Sequence, residues 1–137
     1  MTASTQRGAE KNLIELLQSR VKENRGPAAA HKTAAGWVEV SWAAVLEQVQ
    51  QLSNALVGWG VQPKDRVAIF AGTTLQWLVP DLAISAARGI TVPIYASNTP
   101  DEVAYLLNDA QVVALLVDDD RGDARQSGRL TRARQAR

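Results

Sequence analysis

The segments Arg66-Val-Ala-Ile-Phe-Ala71, Gly89-Ile-Thr-Val-Pro-Ile-Tyr95 and Val112-Val-Ala-Leu-Leu-Val117 are three short apolar runs rich in β-branched residues. Between the first two lies Trp77-Leu-Val-Pro-Asp-Leu-Ala-Ile-Ser-Ala-Ala87, which has the length and composition of a buried helix. Between the last two lies Thr99-Pro-Asp-Glu, the clearest local signal in the chain. Thr99 fits an N-cap, Pro100 the first helical position where its missing N–H costs nothing, and Glu102 completes a capping box. Val103, Leu106, Leu107 and Ala110 then share one helical face. Strands at 67–71, 90–94 and 112–117 that are apolar throughout and separated by helices predict a parallel sheet covered on both faces, with right-handed crossovers. The fold class is therefore α/β: a partial three-layer fold whose short parallel sheet is built from βαβαβ units.

Outward from that unit, a helix and a β-hairpin precede it. Asn12 and Glu15 form a capping pair, and Leu13, Leu16, Leu17 and Val21 fall on one helical face. Residues 28–33 and 37–41 flank Ala34-Ala35-Gly36 and read as hairpin strands. Ser41 caps the next helix, whose apolar stripe is Val45, Val49, Leu52 and Leu56, and Gly58 and Gly60 bracket its end. Pro80 complicates the helix expected from about residue 73 to 88, because an interior proline removes a backbone donor and crowds the preceding turn. That helix is expected either to start late, near Trp77, or to kink at Pro80.

Composition bounds the function classes. The chain has 137 residues, enough for one domain, with 46% hydrophobic and 21% charged residues, as in ordinary globular proteins. It holds no cysteine, which excludes disulfides, thiolate metal sites and a cysteine nucleophile. Residues 1–9 lack the apolar centre of a signal peptide and are expected to be disordered, and the expected compartment is the cytoplasm. The net charge of +1 hides an asymmetry. Residues 1–120 carry 9 basic and 13 acidic side chains, whereas 121–137 carry six Arg and only Asp123. With Leu130 as its one large aliphatic, that tail is expected to be disordered. The domain division is thus 1–9, 10–120 and 121–137.

Several motifs have plain readings. Gly72-Thr73-Thr74 lacks the spaced glycines of a dinucleotide fingerprint and the Gly-Lys-Ser/Thr of a P-loop, so a simple βα turn is expected. Asp118, Asp119 and Asp120 read as a solvated strand end, since cation sites gather oxygens from several segments. His31, the only histidine, has no acid or nucleophile near it in sequence and reads as structural or solvent-facing. Trp37, Trp42, Trp59 and Trp77 lack interleaved basic residues and are assigned to core packing rather than base stacking. Arg121-Gly122-Asp123 is a chance tripeptide, and the Arg-rich tail offers at most nonspecific anion contact.

The ordered series Ser41-Trp42, Trp59-Gly60-Val61, Asp65-Arg66-Val67-Ala68-Ile69, Trp77, Asp81-Leu82-Ala83-Ile84, Val92-Pro93-Ile94-Tyr95, Thr99-Pro100-Asp101-Glu102, Tyr105-Leu106-Leu107-Asn108-Asp109 and Leu116-Val117-Asp118 resembles the amino-terminal portion of the AMP-forming acyl-CoA synthetases. Arg88-Gly-Ile-Thr-Val-Pro-Ile-Tyr-Ala96 leans toward their long-chain fatty-acid members. The match covers about residues 12–120. Lys64 stands where the family has a turn glycine, Thr73-Thr74-Leu75 replaces Asn-Ser-Pro, and Pro80 replaces a small or branched residue.

The resemblance implies a ligase that joins a carboxylate to ATP and passes the acyl group to CoA, with Mg²⁺ assisting. It also implies that the phosphate loop, the Mg²⁺-binding Thr-Glu, the ribose-binding Asp and the catalytic Lys lie outside this stretch, so no catalytic, cofactor-binding or metal residue is assigned here. The chain alone is expected to be inactive, an aggregation-prone fragment or one dependent on further chain, with no specific nucleic-acid partner and no membrane span. Two rival readings differ in class. One is a stand-alone α/β interaction or regulatory module. The other is a receiver-like signalling domain, disfavoured because Ala71-Gly72-Thr73 holds no acid after the first strand. The abrupt composition change near Asp120 also suits an out-of-frame reading of a GC-rich gene, which predicts that family-like sequence ends there.

Overall fold

Val67, Ala68 and Ile69 are consecutive and all buried, which requires cover on both faces of their strand. The computed structural model, which describes residues 11–72, 75–117 and 129–131, supplies that cover. The elements run α1 (Leu13–Glu23), β1 (Ala29–Thr33), β2 (Gly36–Val40), α2 (Trp42–Gly58), β3 (Arg66–Phe70), α3 (Leu75–Ala86), β4 (Ile90–Ile94), α4 (Pro100–Asp109), β5 (Ala114–Val117) and β6 (Arg129–Thr131). β3 lies between β4 and β5, parallel to both, with Val67 beside Thr91 on one side and Ala114 on the other. On one face Val67, Ile69, Ala114 and Leu116 join Leu17, Val45, Val49, Leu56, Leu82 and Ile84 from α1, α2 and α3. On the other, Ala68, Ile94 and Val112 meet Val103, Leu106, Leu107 and Ala110 of α4. The expected three-layer α/β arrangement and the α4 face are as the sequence indicates.

Among the described residues the sheet has four strands in the order β4-β3-β5-β6, one more than the sequence indicates. β6 runs antiparallel to β5, with Leu116 opposite Leu130. Arg129–Thr131 therefore departs from the expectation of disorder across 121–137. Three extended residues need no core of their own when an existing strand supplies the ladder. The rest of the tail and residues 1–10 lie outside the described residues.

The exposed edge at β4 is blunted by a proline. The Ile90 N–H donates to the Asp65 carbonyl at 2.8 Å, so Ile90, Val92 and Ile94 turn their backbone groups toward β3. Thr91 and Pro93 turn theirs outward, and Pro93 has no N–H to offer.

Three helices end in the same way. The Val61 N–H donates to Leu56 and Gly60 to Val57, the Gly89 N–H to Ile84 and Arg88 to Ser85, and the Val112 N–H to Leu107 and Gln111 to Asn108. These are Schellman ends, each with a left-handed residue: Gly60 at φ 91°, Arg88 at φ 63° and Gln111 at φ 51°. Glycine fills that position once, and two ordinary side chains bear the steric cost at the others.

Other expectations change in detail. α3 starts at Leu75 and runs through Pro80, its sixth residue, rather than starting at Trp77. The lost hydrogen bond and crowding cost about 3 kcal/mol mid-helix. Burial of Val79, Leu82 and Ile84, at roughly 1.5–3 kcal/mol for each large aliphatic, offsets it. On α1, Leu17 is buried and Ile14 packs against the core, while Leu13 and Leu16 are exposed. Adjacent residues lie about 100° apart around a helix, so a single contacting stripe takes Ile14 and Leu17 and leaves Leu13 and Leu16 out. On α2 the buried stripe is Val45, Val49, Ser53 and Leu56, with Leu52 only half-buried at its border. Trp42 and Trp77 pack against the core, but Trp37 is 71% exposed and Trp59 42% exposed, so core packing does not account for all four tryptophans.

Candidate functional site

In a parallel sheet ligands gather at the carboxyl ends of the strands, where the βα loops converge. Here that edge carries Ala71-Gly72 after β3 and Tyr95 to Asn98 after β4. The second loop is tightly made. The Asn98 Oδ1 accepts the Tyr95 N–H at 2.9 Å, and the Asn98 N–H donates back to the Tyr95 carbonyl at 3.0 Å. The Asn98 Nδ2 donates to the Glu102 Oε2 at 3.3 Å, which also accepts the Thr99 N–H at 2.8 Å. The Glu102 N–H in turn donates to the Thr99 Oγ1 at 3.4 Å, closing the capping box.

These bonds fix the chemistry of Glu102. The Thr99 backbone N–H, then the Asn98 side chain, hold its carboxyl below the usual carboxylate range. An exposed acid whose carboxylate is committed to two N–H donors is a helix cap rather than a proton carrier. Beside it, Asn98, Asp101, Glu102, Tyr105 and Leu106 line an open concavity of about 390 Å³. It holds no cation to meet a phosphate and no nucleophile–base pair.

The residues singled out from the sequence do not come together. A Cβ on Gly72 would meet nothing within 4 Å, so no neighbour demands a glycine there. Thr73, Thr74, Asp118, Asp119, Asp120 and the Arg121-Gly122-Asp123 tripeptide lie outside the described residues. His31 is exposed on β1, opposite Val38. Among the described residues no three His, Asp or Glu side chains are grouped so as to hold a metal ion.

One residue with a clear task was given none in the sequence. The Arg66 Nε donates to the Ala110 carbonyl at 2.8 Å, and its Nη2 donates to the carbonyl and Oε1 of Gln111 at 3.3 and 3.1 Å. It fastens the end of α4 to the start of β3, placing a cation on a helix C-terminus. Its partners lie 44 and 45 residues away, so no local pattern carries the signal.

The fold agrees with the comparison to known proteins. The family profile described as AMP-binding enzyme matches residues 17–136. The chain belongs to the AMP-binding enzyme family. The match runs past Asp120, so family-like sequence does not stop at the change in composition there.

Over 84 residues, or 61% of this chain, it is 36% identical to the long-chain-fatty-acid–CoA ligase FadD15 of Mycobacterium bovis. It spans only 14% of that ligase. In three dimensions it is similar to the fatty acid AMP ligase from Legionella pneumophila, with TM-score 0.73, 17% identity, and 82% of this chain and 22% of that one covered. It is also similar to the N-terminal domain of FACL13 from Mycobacterium tuberculosis, with TM-score 0.71, 18% identity, and 79% and 27% covered. At such identities these two likenesses speak for the fold of this AMP-binding family member. No helix among its described residues is long and apolar enough to cross a membrane.

Proposed function

We propose that this chain is the amino-terminal portion of a long-chain fatty acid–CoA ligase and acts as scaffold for chemistry performed elsewhere in such an enzyme. In that reaction a fatty carboxylate attacks ATP to give an acyl-adenylate and pyrophosphate, and the thiol of CoA then takes the acyl group. Mg²⁺ neutralises charge on the phosphates when it is bound. The observation that carries the reading is the match over 17–136, joined to relatives named for long-chain fatty acids.

The chain's own residues supply packing and not catalysis. Developing charge on a transferring phosphate needs donors and cations preorganised around it. Among the described residues the carboxyl edge offers Glu102, Asp101 and Tyr105 in their place. The isolated chain is accordingly inactive, needs no bound ATP, Mg²⁺ or CoA, and works in the cytoplasm.

The test is ATP–pyrophosphate exchange with palmitate, together with equilibrium dialysis against labelled ATP, on the purified chain. No exchange and no saturable binding are expected. Saturable ATP binding in the micromolar range, or any acyl-adenylate, overturns the scaffold reading.

A further inference from the structure

Residues 95–111, between the end of β4 and the start of β5, form a segment bonded mainly to itself. The β3–β4 ladder ends at Ile94, and the β3–β5 ladder begins at Ala114. Between them the Tyr95 and Asn98 backbones and the side chains of Asn98, Thr99 and Glu102 bond to one another, and α4 closes its own helical bonds. Among the described residues, its hydrogen bonds to the remainder of the chain are the Val112 N–H to the Leu107 carbonyl and the three from Arg66 to Ala110 and Gln111.

The apolar attachment of the segment is thin. No α4 side chain is fully buried, and Val103, Leu106, Leu107 and Ala110 are half-buried against Ala68, Ile94 and Val112. α2 by contrast buries Val45, Val49 and Leu56 in the main core. Hydrophobic stabilisation follows the apolar area removed from water, so α4 is held less firmly than α2. The exit from the segment is also strained. Gln111 holds left-handed backbone at φ 51°, which carries a steric cost for a residue with a side chain. Its carbonyl and its Oε1 are two of the groups that Arg66 grips.

We propose that residues 95–111 form a flap that opens as one unit while the main core stays folded. Breaking the Arg66 bonds frees Gln111 to leave the left-handed region. The capping box and the Tyr95–Asn98 turn travel with the helix, because their bonds are internal to the segment. Opening uncovers Ala68 and removes the Tyr95–Asn98 loop from the carboxyl edge, where ligands of parallel sheets gather. This goes beyond the ligase reading, and its test uses neither ATP nor fatty acid.

The chain has no cysteine, so a single introduced one reports the opening. Ala68 lies under α4 and Ala83 in the main core, and both are fully buried. Ala68→Cys and Ala83→Cys, each in the full chain, are exposed to a thiol reagent in native buffer, at concentrations low enough that labelling follows the open population. Val49→Ala, which leaves a cavity in the main core, is then added to each.

Ala68→Cys is expected to label about tenfold faster than Ala83→Cys, or more. Val49→Ala should speed labelling of Ala83→Cys by about tenfold or more, because that site opens only with the core. It should change labelling of Ala68→Cys by less than about twofold, because the flap opens without the core. In the parent chain, the α4 amides should exchange with one common urea dependence, smaller than that of the α2 amides. Equal labelling of the two cysteines, or an equal effect of Val49→Ala on both, overturns the proposal. So do α4 amides that share the urea dependence of α2 or show none.

Discussion

The Lys64 N–H donates to the Arg88 carbonyl at 2.8 Å, and both residues hold left-handed backbone, at φ 72° and φ 63°. This pair closes the joint between the turn into β3 and the end of α3. Gly89 follows directly, and a Cβ there would lie 3.0 Å from the Ile84 Cγ2 and 3.3 Å from the Asp65 carbonyl oxygen. The joint thus has one glycine set by close packing and two side-chain residues in positions that favour glycine.

Lys64→Gly is expected to stabilise the fold. A left-handed non-glycine residue costs about 1–2 kcal/mol, and glycine returns part of that through greater freedom of the unfolded chain. A net gain of about 0.5–1 kcal/mol should appear as a higher urea midpoint at unchanged slope. Lys64→Ala keeps the strain and should give no such gain. Equal midpoints for the two variants would show that the backbone strain is not released.

Arg66→Met should loosen the α4–β5 joint. It removes charge-assisted hydrogen bonds to Ala110 and Gln111, each of a kind worth about 1.5–3 kcal/mol, with partial exposure favouring the lower value. Amide exchange at Gln111, Val112 and Val113 should accelerate more than exchange in α2. Uniform acceleration would mean that Arg66 acts on the whole fold.

The capping box gives a pH signature. Hydrogen bonds from Thr99 and Asn98 hold the folded-state pKa of Glu102 below the usual carboxylate range. Its contribution to stability is therefore complete above the unfolded-state pKa and is lost as pH falls through the folded-state value. Glu102→Gln should flatten that part of the acid limb of a stability–pH curve and change little at neutral pH beyond the loss of the box. Thr99→Ala should cost about 1 kcal/mol. A Glu102→Gln acid limb superposable on that of the parent chain would rule out this role.

Pro93→Thr should promote association. It restores an N–H at the outward position of β4, where Thr91 otherwise offers the neighbouring donor. Light scattering should show concentration-dependent growth that the parent chain shows only at higher concentration. Identical behaviour would place the aggregation-prone surface elsewhere, with the exposed Trp37 the first alternative.

Local chemistry alone determined much of this protein. Thr99, Pro100 and Glu102 define the start of α4 within four residues, and Asn12 and Ser41 cap α1 and α2. The apolar runs mark three parallel strands, of which the central β3 is buried on both faces. The family resemblance, not local chemistry, marked Lys64 as standing where a turn glycine is usual. The candidate site was less legible: the sequence assigned no functional residue, and several residues that it weighed lie outside the described part.

Only the tertiary structure placed β3 at the centre, added β6, and separated the packed Trp42 and Trp77 from the exposed Trp37 and Trp59. It also joined Arg66 to Gln111, and turned Leu13 and Leu16 away from the core. Periodicity says that a residue lies on an apolar face. Which neighbour covers that face, and whether one does, depends on contacts between segments far apart in the chain.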